Sequence, residues 1–324
     1  MDKITEKLLN SDEPAVRYKV MVNVLGCDPD SAEIHQLRQE INTSPRVRKL
    51  LSERDRPGVA SPDPYRKWTG AHWVLADLAD IGYPPGDEAL IPLREQIYQW
   101  LFGEKHQEKI KTINGRIRRC ASQEGNALYY LLALGLEDGR TDELAVSLVK
   151  WQWPDGGWNC DTIPAACHSS FMESLIPLRG LALHARLTGN EQSRAAAERA
   201  AEIFLKRRLF RRQYDNSIIN DDFIRLHYPC YWHYDILFSL KVMAEAGFIR
   251  DERCREALAL LEAKHLPDGG FPAEKAYYRV SDKAANGRPV SGRSLVSWGG
   301  TSKKRMNQFV TADALYVLKA AGLS

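Results

Sequence analysis

The chain has 324 residues, 45 basic and 42 acidic side chains, a formal net charge of +3 and 44% hydrophobic residues. A charge this balanced excludes a nucleic-acid partner, although Arg116 to Arg119 and Lys303 to Arg305 are local basic spots. No run of about 18 apolar residues occurs and Met1 to Lys7 has no leader-like apolar stretch, so a soluble, cytoplasmic protein without stable membrane insertion is expected.

In chain order, hydrophobic periodicity predicts an all-α chain of two alternating helix sets. Short helices rich in Ala, Leu and Gly are expected on the inside over Glu13–Leu25, Thr69–Ile81, Glu124–Leu136, His168–Leu187, Trp232–Ala246 and Val310–Ala321. Longer, more charged helices with one wet face alternate with them over Ser31–Glu53, Asp87–Phe102, Thr141–Trp151, Glu191–Arg208 and Asp251–Lys264. The inner set ends at Gly26, Gly82, Gly135, Gly189, Gly247 and Gly322, as C-caps do. Strand signals are confined to weak candidates at Tyr277–Val280 and Ser294–Trp298, and the loops 211–231 and 275–307 are long enough to act as lids.

Five times a Pro/Gly or charged stretch leads into an apolar helical run, clearest at Trp151 to Trp158 before Cys167-His-Ser-Ser-Phe171, and at Lys264 to Phe271. A recurrence of roughly 50 residues marks an array of helical hairpins, none of which buries its apolar face alone. With no Gly/Ser-rich linker, residues 1–324 are expected to form a single domain of about six hairpins.

If the inner helices run parallel, the polar residues of their first turns converge at one mouth: His72, Glu124 with Asn126, His168, His233 with Asp235, Asn307 and, deeper, Asp313. Helix N-termini there favour an anionic group, for which Arg118, Arg119 or Lys303 to Arg305 are candidate receivers. His168, His233, Asp235, Glu124 and Asp313 are the candidate catalytic residues, with Asp235 orienting His233 and His168 serving as second base or metal ligand. Phe171, Tyr231, Trp232, Tyr234 and Phe309 offer aromatic faces to an apolar small molecule, beside His72 and Asn307.

The six cysteines, Cys27, Cys120, Cys160, Cys167, Cys230 and Cys254, lack the density of a disulfide scaffold and read as free thiols or metal ligands. A possible zinc set is Cys160, His168 and His233, extended by Cys120, Cys167 or Asp235. The plainer alternatives are that Cys167 is a small buried hydrophobe, that His168 and His233 are hydrogen-bonded core residues, and that Trp158 packs hairpins together.

Pro154-Asp-Gly-Gly-Trp158 and Pro267-Asp-Gly-Gly-Phe271 resemble the repeat motif of squalene and other triterpene cyclases and of protein prenyltransferase β subunits. Tyr65 to His72, Tyr231 to Asp235 and Asn307 to Thr311 are similar to segments of small single-toroid bacterial proteins of squalene cyclase-like or prenyltransferase-like type. The resemblance implies an (α/α)6 toroid and an enzyme acting on an isoprenoid-type molecule in its central cavity. It also implies zinc at an inner-helix start, where Ala165 to Phe171 lacks the Asp of the prenyltransferase Asp-x-Cys and puts His168 where the Cys stands. The cyclase motifs Asp-x-Asp-Asp and Asp-Asp-x-x-Asp are absent, Asn220-Asp-Asp222 being the nearest string. A metal-dependent hydrolase or lyase using the His/Cys cluster, and a non-catalytic lipid or isoprenoid carrier, are the alternatives.

Overall fold

The computed structural model describes residues 2–52, 63–280 and 292–323, with the backbone of 284–285 and 288–289. The expected outer helix Ser31–Glu53 ends outside these residues, and so does part of the expected lid 275–307. Helix makes up 53% and strand 5%, so the class is all-α.

The first inner element is α2 (Pro14–Tyr18), preceded by α1 (Lys3–Leu9) and continued by π-helical turns over Lys19–Val24. The long outer helix expected next is two, α3 (Ala32–Asn42) and α4 (Pro45–Leu51). The break lies at Ser44, whose hydroxyl accepts from the Val47 amide at 3.2 Å while Pro45 occupies the first helical position. Then follow α5 (Ala71–Asp80), α6 (Ile91–Leu101), α7 (Glu104–Gln107), the hairpin of β1 (Lys111–Ile113) and β2 (Arg116–Arg118), α8 (Ser122–Ala133) and α9 (Gly139–Trp151). The second half contains α10 (Phe171–Thr188), α11 (Glu191–Leu205), α12 (Ile236–Glu245), α13 (Arg255–Glu262) and α14 (Gln308–Ala321). Between the last two, β3 (Arg279–Val280), β4 (Ala284–Ala285), β5 (Arg288–Pro289) and β6 (Arg293–Ser294) form two small pairs, β3 with β6 and β4 with β5. The two weak strand signals thus correspond to β3 and β6.

The inner elements touch in sequence order, α5 to α8, α10, α12 and α14, and α14 returns to the Lys19–Val24 segment. An ion pair of 2.7 Å from Lys19 to Asp80 at the end of α5 closes this ring. The outer positions hold α3 with α4, α6, α9, α11 and α13. The sixth outer place goes to α1, whose Ile4 packs on Gly269 and whose Lys7 lies 3.9 Å from Asp268. All six predicted capping glycines have positive φ, from 59° at Gly135 to 86° at Gly247, the conformation in which glycine costs least.

Inner helices α8 and α10 approach most closely at a pair of glycines. A Cβ on Gly125 would lie 2.6 Å from the Pro177 backbone, and one on Gly180 would lie 2.5 Å from the Gly125 carbonyl oxygen. Neither neighbour is a flexible side-chain end, so Gly125→Ala must push two core helices apart. We expect it to cost about 1–3 kcal/mol, read as a lower urea midpoint at unchanged slope.

Candidate functional site

Side chains divide the barrel axis into three levels. At the N-terminal mouth an aromatic plug of Trp68, Trp73, Tyr231, Tyr65, Trp232 and Tyr278 fills the space between inner helices. Trp68 stacks on Tyr231 with ring centroids 3.8 Å apart, and its indole donates to the Tyr277 carbonyl at 2.9 Å. Below the plug lies a chamber of about 50 Å³ lined by Asp77, Asn126, Tyr129, His227, Cys230 and Phe238 among others. Its floor is an ionic layer: Asp80 takes Lys19 and Lys241, each at 2.7 Å, Asp313 takes the same two at 2.9 and 3.1 Å, and Arg179 pairs with Glu245 at 2.6 Å. Beyond it a vestibule of about 610 Å³ opens at the helix C-termini, lined by Tyr18, Arg38, Tyr83, Arg186 and Tyr316 around the same floor. This vestibule therefore opens at the end opposite to the mouth where the first-turn residues gather.

Asp77 is the unusual group in the chamber. One carboxyl oxygen is buried without a hydrogen-bond partner, and burial, aided by the charge of Asp80, raises its pKa well above the usual carboxylate value. The native state thus keeps a proton that the unfolded chain loses near pH 3.8, so stability falls as pH rises through that value. Asp77→Asn should remove this slope: urea titrations at about pH 4 and pH 7 should show the variant gaining on the wild type at the higher pH. Parallel pH responses would contradict a neutral Asp77.

Among the described residues two groups of three side chains bring potential ligand atoms within 4.8 Å of one another: Cys120, Cys160 and Glu173 at the rim, and His227, Cys230 and Asp235, the first two of which line the chamber. The second is accounted for without a metal. Asp235 is the N-cap of α12, accepting from the Phe238 amide at 2.7 Å and the His227 amide at 2.8 Å, while the His227 ring lies 2.8 Å from the same carboxylate.

The first group is built by three separate elements. Cys120 follows β2, Cys160 lies in the loop before α10, and Glu173 is in the first turn of α10. One Glu173 oxygen is 3.7 Å from the Cys160 sulfur, and the other accepts from the Ser122 amide at 3.0 Å. Burial raises the Glu173 pKa, and a hydrogen bond between the thiols lowers that of Cys160 while raising that of Cys120. The sulfurs face a cavity of about 350 Å³ walled by Tyr65, Trp100, Lys109, Arg119 and Gln123. Behind it Arg119 donates to Glu124 at 2.9 Å and contacts His106. Burial outweighs Arg119 and puts the Glu124 pKa at about 7.

No protein-family model matches the chain, and none of the curated proteins matches it. Among solved structures the chain is similar to an unsaturated glucuronyl hydrolase from Bacillus sp. GL1, responsible for the degradation of glycosaminoglycan. The identity is 15% and the TM-score 0.46, over 96% of this chain and 86% of that one. It is also similar to a type II terpene cyclase from Scytonema in complex with geranylgeranyl dihydroxybenzoate, at 13% identity and a TM-score of 0.42, over 96% and 88%.

The structure separates several residues that sequence periodicity groups together. His168 is exposed in the loop before α10, which starts three residues later at Phe171, so Cys160, His168 and His233 do not form a ligand set. Cys167 is exposed rather than a buried hydrophobe. His233 does not pair with Asp235; it stacks between Trp232 and Tyr277 at 4.0 and 3.4 Å, and burial lowers its pKa to about 3. Asp235 serves His227 instead. Asp313 belongs to the ionic layer, and Asn307 caps α14, accepting from the Phe309 amide at 3.0 Å. Phe309 stacks on Tyr228, whereas Phe171 and Tyr234 pack together with Phe204 and Phe223. Arg118 is spent on the Ala166 carbonyl at 3.0 Å. His72 is buried with Tyr130 at 3.2 Å and Asn126 at 3.3 Å, its pKa lowered to about 3.

Residues that a first-turn criterion passes over are Lys19, Asp77, Asp80, Arg179, Lys241 and Glu245, while Glu173 enters a first turn only because α10 starts at Phe171 and not at the expected His168. Their signal was available: an ionisable residue within an otherwise apolar inner helix, as in Ile236-Leu-Phe-Ser-Leu-Lys241, needs a buried partner.

Proposed function

We propose that the chain is a metal-dependent enzyme whose metal is held by Cys120, Cys160 and Glu173 at the rim of the barrel. The supporting observation is the convergence of two sulfurs and a carboxylate within 4.8 Å beside a cavity of about 350 Å³. Two thiolates with a carboxylate suit zinc, and three protein ligands leave a fourth position for substrate or water, the pattern of catalytic rather than structural sites. Zinc held there supplies Lewis-acid polarisation of a substrate oxygen or activation of water. Tyr65 and Trp100 offer faces to a flat or apolar portion of the substrate, and Lys109 and Gln123 hold its polar end. Glu124, with Arg119 and His106, is the group placed to hold or release a proton near neutrality.

Elemental analysis tests this reading. About one zinc per chain is expected, lost in Cys160→Ser and retained in His168→Ala; a folded wild type that takes up no zinc when supplied with it overturns the proposal.

Acid-initiated chemistry on an isoprenoid in the central chamber is favoured by one observation, the buried, unpartnered carboxyl oxygen of Asp77, whose pKa burial raises, in a chamber lined also by Tyr129, Tyr228 and Phe238. The chamber's 50 Å³ lies far below the ~300–1,000 Å³ of small-molecule sites, so that chemistry, or simple isoprenoid carriage, requires it to widen several-fold.

A further inference from the structure

We propose that Cys120 and Cys160 are also an oxidisable dithiol, which a hydroperoxide converts to a disulfide. The geometry carries this. The two sulfurs lie within 4.8 Å of each other, and both line an open cavity large enough for a small peroxide. Disulfide formation needs the sulfurs to close to about 2.05 Å. Both cysteines sit outside helices, Cys120 in the short link between β2 and α8 and Cys160 at the start of a segment exposed from Asp161 to Ala165, so either link can supply the movement. Cys254, by contrast, is buried at the start of α13, and Cys230 lines the internal chamber.

The steps balance. The Cys160 sulfur, its proton passed to Glu173 at 3.7 Å, attacks the O–O bond; one oxygen stays on Cys160 as a sulfenic acid, and the other leaves as an alcohol after taking up a proton. The Cys120 sulfur then attacks Cys160, the S–S bond forms and water leaves. Two thiols lose two electrons, the peroxide gains them, and a dithiol reductant restores the pair. This chemistry does not need the metal; release of the metal on oxidation rests on the reading above, since the disulfide removes two of three ligands.

The test uses the chelator-stripped full chain with hydrogen peroxide added in equimolar amount, followed by thiol blocking and peptide mass spectrometry. Expected are a Cys120–Cys160 cross-linked peptide, two of the six thiols lost, reversal by dithiothreitol, and in Cys120→Ser a dimedone-trapped sulfenic acid on Cys160. Oxidation of Cys27 or Cys167 ahead of this pair, or a Cys160 carried to sulfinic acid without cross-linking, overturns the proposal. The zinc-loaded chain, treated in parallel, should release zinc as the cross-link forms. A cross-link in a protein that never binds zinc leaves the dithiol standing and removes the metal reading.

Discussion

Asp80→Asn should destabilise the protein by about 3–5 kcal/mol, because it removes the hub of a buried ionic layer and leaves its cations behind. Lys19 and Lys241, both almost fully buried, would then share Asp313 alone, and the Tyr228 hydroxyl, now 2.6 Å from Asp80, would lose its charged acceptor. Adding Lys241→Met restores the balance of charge, so the double variant should recover part of the loss. A double-variant loss equal to the sum of the two single losses in urea titrations would show that the layer is not coupled. Burial alone would raise the Asp80 pKa, but Lys19, Lys241 and Arg179 outweigh it and hold the carboxyl well below the usual range. The stabilisation is therefore present above the unfolded value near 3.8 and lost as pH falls through the folded one, so Asp80→Asn should flatten the acid limb of the stability profile.

The second large effect concerns the metal. Loss of an outer-shell partner costs zinc sites about 10–100-fold in affinity, so loss of a sulfur ligand in Cys160→Ser should cost at least about 100-fold. Competition with a chromophoric chelator measures it. Glu173→Gln should weaken binding less than Cys160→Ser, since an amide oxygen still donates but carries no charge. His168→Ala and His233→Ala should leave affinity unchanged, because neither side chain reaches the group. Weakening by His168→Ala equal to that by Cys160→Ser would move the site to the loop before α10.

The alternation of inner and outer helices was legible because it rests on local signals, a 3.6-residue apolar period and a glycine at the end of each inner helix. The closing of the ring by α1 was not, since it depends on contacts between residues as distant as Lys7 and Asp268. The site shows the same division. Grouping Cys160 with Cys120 follows from residue type, but His168 and His233 do not join them and Glu173 does, because the 161–170 loop carries His168 outward while β2 and α10 bring Cys120 and Glu173 inward. His233 and Asp235 are near neighbours in sequence, yet Asp235 turns into the α12 cap and His233 into an aromatic stack. The ionic layer was hidden for another reason: Lys19, Asp80, Lys241 and Asp313 lie on four different inner elements, and only the closed ring makes them neighbours.

X-ray absorption spectroscopy on the zinc-loaded chain tests the metal centre most directly. Expected is a first shell with two sulfurs at about 2.3 Å and the remaining ligands oxygen at about 2.0–2.2 Å. A shell of nitrogen and oxygen alone, or one unchanged in Cys120→Ser and Cys160→Ser, would place the metal elsewhere and contradict this centre.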